Sequence, residues 1–132
     1  MSRSGTPAGL EEKLAMISRA QVAATGQAVG RFATFLEGRI GANIPRRTGA
    51  LAGTLHQVST STTHRTTIEI LAGGHAAPYA LGVEFRDPHE DQAHADEATP
   101  EGHPGAGFFR RPIDMHRRAL APQVAASVQA AR

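Results

Sequence analysis

The sequence predicts an α+β domain, and three observations carry that reading. Apolar residues recur at helical spacing over residues 8–42, a β-branched run alternates inward and outward over residues 65–73, and helical spacing returns over residues 110–131. The order is a long N-terminal helix, a small antiparallel β-sheet, a long acidic loop and a C-terminal helix. With 132 residues the chain is expected to be one domain, burying roughly two-thirds of its unfolded surface around one core.

Residues 1–7 are polar and small and are expected to form a flexible N-terminus. From residue 8 to 42 the helix rests on Leu10, Leu14 and Ile17, then Val29, Phe32, Leu36 and Ile40. Gly26 and Gly30 lie one turn apart inside it and cost roughly 1 kcal/mol each relative to alanine, so they mark a break or a close helix contact. Unbroken, the helix would be about 50 Å long and would project from the domain or pack on a neighbour. Gly41 and Pro45 are its stop signals, and Thr48 is placed to cap a short turn beyond them.

Strands are expected between residues 54 and 85. Leu55 to Ser61 is a weak strand. In RTTIEILAG, residues 65–73, Ile68, Ile70 and Ala72 alternate with Thr67, Glu69 and Leu71, which makes a better one. The polar STSTTH between them suits a hairpin turn, and APYALGVEF, residues 77–85, reads as a further short strand with or without a helical turn before it. Residues 86–107 hold three prolines, three glycines and no bulky aliphatic residue, so they read as a long exposed acidic loop. Ile113, Leu120, Val124 and Val128 then support a terminal helix that Pro122 should kink.

Composition excludes several functions. No cysteine is present, which removes disulfides, thiolate catalysis and Cys-ligated zinc. Five phenylalanines, one tyrosine and no tryptophan leave an aliphatic core and no row of aromatics on which bases could stack. No apolar run approaches the roughly 18–20 residues of a membrane span, and the N-terminus lacks a signal-peptide core, so the chain reads as soluble and unexported, with no membrane partner. The net charge of +2 is uneven: residues 1–72 carry +4, residues 84–101 carry −6 and residues 105–132 carry +4.

The loop histidines His89, His94 and His103 stand among Asp87, Glu90, Asp91, Asp96, Glu97 and Glu101, residue types that bind zinc or manganese. Their spacing fixes no geometry, so a solvated acidic loop is the better reading, with no metal and no cofactor expected. A small metal-dependent hydrolase using this loop is kept as an alternative. IPRRTGALAGTL, residues 44–55, could hold a phosphate through Arg46, Arg47 and backbone N–H groups, but it lacks the glycines and lysine of a P-loop. A helix-to-strand corner explains it better. Arg46, Arg47, Arg110 and Arg111, with Arg117 and Arg118, could instead touch DNA or a partner, making the chain a nucleic-acid-binding accessory protein, although no reading motif accompanies them. No nucleophile elbow occurs, and His56, His64, His75 and His116 read as surface or satisfied histidines. No catalytic residue is expected.

Three segments in this order carry a resemblance: IPRRTGALAGTL, PYALGVEF and FFRRPI. Together they resemble the tail-completion or head–tail joining family of long-tailed bacteriophages, also described as minor tail components. Pro45, Arg47, Thr48, Gly49 and Leu51 match its first motif; Tyr79, Ala80, Val83 and Glu84 match the second; Phe109 and Pro112 match the third. The likeness spans residues 44–128. Arg86 and Asp87 replace the Gly-Thr expected after the second motif, and the following loop is longer and more acidic. The resemblance implies a non-enzymatic virion protein of the neck, present in the host cytoplasm during assembly. It would form a ring with its own copies beside head-closure, tail-terminator or tail-tube proteins, with DNA passing through the channel unread. It also implies that Thr48 and Gly49 turn the chain into the sheet, that Leu51 and Leu55 anchor the corner, and that Glu84 pairs with Arg46 or Arg47.

Overall fold

The computed structural model describes residues 8–45, 49–63, 65–74, 77–85, 99–102 and 104–131. The α+β class is as expected. Helix α1 (Ala8–Asn43) runs without a break and organises everything else. It is followed by α2 (Ala50–Thr54), strands β1 (His56–Ser61) and β2 (Thr66–Leu71), α3 (Ala80–Glu84), α4 (Arg110–His116), one 3-10 turn (Arg117–Ala119) and α5 (Leu120–Ala130).

The hairpin pairs antiparallel, with Gln57 opposite Ile70, Ser59 opposite Ile68 and Ser61 opposite Thr66. The alternation read from the sequence sets its sidedness. Thr66, Ile68 and Ile70 are half-buried while Thr67, Glu69 and Leu71 are exposed. A two-stranded hairpin alone is marginal in water, and here it lies on α1. That explains Gly26 and Gly30: a Cβ on Gly26 would stand 2.8 Å from Thr66 Oγ1, and one on Gly30 would touch Ile68. The glycines mark close packing, but against a strand rather than a second helix.

Helix α5 packs antiparallel to α1 on another side. His116 meets Phe35 edge-on with centroids 5.0 Å apart, and Ser127 Oγ accepts from Arg31 Nη2 at 2.6 Å. The core sits at the C-terminal end of α1, where Ile40, Ile44, Leu51, Ala77, Val83 and Phe108 are buried together. The other end is bare: residues 9–20 of α1 are exposed.

Two expectations need correction. The strands do not extend over residues 54–85: Thr54 ends α2 and Ala80–Glu84 is helical. Burial there falls at Ala80, Val83 and Glu84, with Leu81 and Phe85 outside, which is helical rather than alternating spacing. Second, the acidic loop is not exposed throughout: residues 104–108 are buried. Helix α1 ends at Asn43, between the expected stop signals Gly41 and Pro45. The C-terminal helix tightens into a 3-10 turn at Arg117–Ala119, in the turn before Pro122, where a proline lacks its N–H and crowds the carbonyl four residues back. Residues 86–98 and His103 lie outside the described residues.

Two glycine substitutions separate helix propensity from packing. Gly38 has open space around it, so Gly38→Ala should raise stability by about 1 kcal/mol through helix propensity. Gly26→Val should lower it by about 1–3 kcal/mol by forcing Thr66 off the helix. Urea midpoints of the two variants against the parent check both.

Candidate functional site

The three resembling segments meet at the C-terminal end of α1. Gly49, with φ of 77°, turns the chain into α2, Leu51 is buried in the core, and Leu55 and Ala52 pack against it. Thr54 locks the corner, its hydroxyl donating to Leu51 O at 2.6 Å and accepting from Gly73 N at 2.7 Å. Pro45 is half-buried. Arg46, Arg47 and Thr48, and likewise His89, His94 and His103, lie outside the described residues.

In the second segment Val83 is core, Ala80 packs on it, and Tyr79 is exposed at the start of α3. Glu84 is buried and its carboxylate faces the start of α4. Oε2 accepts from Phe109 N at 2.8 Å and Oε1 from Arg110 N at 3.0 Å, while Glu84 O accepts from Gly107 N. A carboxylate there satisfies N–H groups that a helix start leaves open and complements its dipole. Among the described residues the basic partner of Glu84 is Arg110, 3.8 Å away. In the third segment Pro112 is buried and Phe109 packs against the core.

Sequence reasoning missed a second cluster. The turn TPEG, residues 99–102, closes through paired backbone bonds between Thr99 and Gly102 and turns Glu101 inward, its side chain fully buried. Arg39 grips it with two bonds, Nη2 to Oε1 at 2.6 Å and Nε to Oε2 at 3.0 Å. Asn43 Nδ2 adds a bond of 3.0 Å and His116 Nε2 one of 2.8 Å. A carboxylate only accepts, so Nε2 of His116 carries the hydrogen. Asn43, fully buried, also accepts from Thr99 Oγ1 at 2.7 Å and from Gly105 N at 2.9 Å.

Arg111 braces the same loop from α4, donating to Glu101 O at 2.7 Å and to Ala106 O at 2.9 Å. Burial lowers its pKa, while Glu84 and Glu101 pull the other way. Two nitrogens of its guanidinium are therefore engaged by carbonyl oxygens within the fold. Arg110, by contrast, is half exposed and lies 5.1 Å over the Phe85 ring. Glu101, read from the sequence as part of a solvated loop, has a fully buried side chain, with Arg39, Asn43 and His116 as its donors. The Arg39–Asn43 pair, four apart on one helix face, was the available signal.

Beside this junction lies a groove of about 860 Å³ between the end of β2, α3 and the start of α4. Its lining is apolar apart from Glu84 and Arg110, and Leu81 and Phe85 on its wall are 72% and 67% exposed. Among the described residues no group of three or more histidines and acids could hold a metal ion. Comparison with protein-family models, curated proteins and solved structures gives no match.

Two outcomes test the junction. The Arg39 hydrogen bond, helped by His116 and Asn43 and opposed by burial, pulls Glu101 from 4.5 down to about 2. A carboxyl with a lowered folded pKa adds stability that is whole above the unfolded value and lost as pH falls through the folded one, here on the order of 3 kcal/mol. Thermal midpoints should drop between about pH 4.5 and 2, and Glu101→Gln should start lower and follow a flatter curve. Parallel curves would remove the assignment. Separately, Glu84→Ala takes the acceptor from two partly buried N–H groups at the start of α4 and should cost about 1–2 kcal/mol in urea unfolding.

Proposed function

We propose that the chain is a structural protein of the neck of a long-tailed phage virion, acting in tail completion where head meets tail. It assembles side by side with copies of itself into a ring around the DNA path, next to head-closure and tail proteins, and performs no catalysis. Its setting is the virion, after assembly in the host cytoplasm.

The observation that supports this reading is the convergence of the three resembling segments. Leu51, Val83 and Phe108, one from each or next to it, share one core, and Glu84 of the second segment caps the helix that the third begins. Residues that recur together in a family of assembly proteins would be expected to build such a junction, since each subunit must present rigid faces to its neighbours. Arg111 favours assembly over nucleic-acid binding, because its guanidinium is committed to carbonyl oxygens within the fold.

Deletion of the gene from the phage or prophage that encodes it, followed by electron microscopy of the lysate, tests the role. DNA-filled heads beside unattached or malformed tails are expected. Normal, infectious virions would overturn the reading.

A further inference from the structure

Strand β1 has an open edge. Antiparallel partners alternate between those that exchange backbone bonds and those that do not. Thr62 N donates to Arg65 O at 2.7 Å just beyond the strand ends, so the bonded pairs that follow are Thr60 with Thr67, Val58 with Glu69 and His56 with Leu71. Gln57, Ser59 and Ser61 alternate with them, and their backbone N–H and C=O groups point away from β2. Among the described residues those groups have no hydrogen-bond partner in the protein.

Proteins usually blunt such an edge with charged side chains, proline or a bulge. The strand HQVSTS carries no Lys, Arg, Asp, Glu or Pro, and its register against β2 is one to one over its whole length. All of its residues but Gln57 are exposed. The outer edge of β2 is more hemmed in, sharing a cavity with Val128 of α5 at Thr66 and another with Leu81 of α3 at Ile70.

A row of bare backbone groups selects an extended chain as its ligand, and β1 itself supplies one. Positions 57, 59 and 61 are symmetric about Ser59. A second β1 laid antiparallel about that residue sets Ser59 opposite Ser59 and Gln57 opposite Ser61, so every free N–H meets a free C=O. On the solvent face the same register puts Val58, 43% exposed, opposite Thr60, a β-branched pair of the kind that stabilises neighbouring strands. No charge meets its like.

We propose that β1 pairs with β1 of a second copy, antiparallel and centred on Ser59, joining two hairpins into one four-stranded sheet. Three or more strands are the stable unit, where a lone hairpin is marginal. The contact is isologous and joins copies two by two. It goes beyond the ring proposed above and is testable on the isolated full chain.

Sedimentation over a concentration series reads the contact. The parent chain should show a reversible monomer–dimer equilibrium. Ser59→Pro should weaken it at least about tenfold, because proline removes the outward N–H at the centre of the contact and leaves the bonds to β2 in place. The absence of cysteine adds a test of register. Val58→Cys and Thr60→Cys, mixed under mild oxidation, should form disulfide dimer well above either variant alone. Residues 58 and 60 face each other directly, whereas like residues lie on the diagonal at about 7–8 Å, outside disulfide reach. A monomer up to about 1 mM, or a dimer that Ser59→Pro leaves intact, would overturn the contact. Either cysteine variant cross-linking alone as well as the mixture does would also overturn it. Should Ser59→Pro lose its fold by circular dichroism, the cysteine mixture decides. Normal virions after gene deletion would overturn the neck role and leave this contact standing.

Discussion

The arrangement depends on one buried carboxylate. The Glu101 side chain has no access to water, so its ionised form is tolerable only with a full set of donors. Those donors come from two elements: Arg39 and Asn43 from the last turns of α1, and His116 from the end of α4. The carboxylate therefore fixes where the loop re-enters and how α4 sits against α1. Arg111 then holds the backbone between residues 101 and 106, which leaves Phe108 aimed into the core and the next two N–H groups aimed at Glu84. Removing the first link would loosen each that follows. Removing Glu84 alone would spare the loop and free only the start of α4.

Different parts of this were legible in the sequence to different degrees, for physical reasons. Helix α1 and the sidedness of β2 could be read because burial on one face imposes a period, and Ile68 and Ile70 or Ala24, Ala28 and Phe32 display it directly. Gly26 announced a close contact but not its partner, since a missing Cβ records proximity and nothing about what approaches. Helix α3 was obscured because five residues are too few to separate a helical from an alternating pattern. Glu101 was hidden by its neighbours. Set among other acids in the sequence, it has partners 58 and 62 residues upstream, a relation that composition does not record. Glu84 was expected to meet Arg46 or Arg47, which lie outside the described residues; among those described it caps α4 and stands 3.8 Å from Arg110.

The two ends of α1 obey different rules. From about residue 24 onward the helix is held by the sheet, by α5 and by the Glu101 cluster. Before residue 21 its backbone bonds are its main support. An isolated helix of a dozen residues is marginal in water because nucleation is costly. This segment is spared that cost, since it elongates a helix already nucleated and anchored downstream. Its helicity is thus borrowed from the folded body, and whatever loosens the Glu101 junction also weakens the anchor. Leu10, Leu14 and Ile17 would then lose the common face that helical spacing gives them, although no contact of their own had changed. Such a stripe exists only on a folded chain, which ties it to completion of the core some 39 Å away.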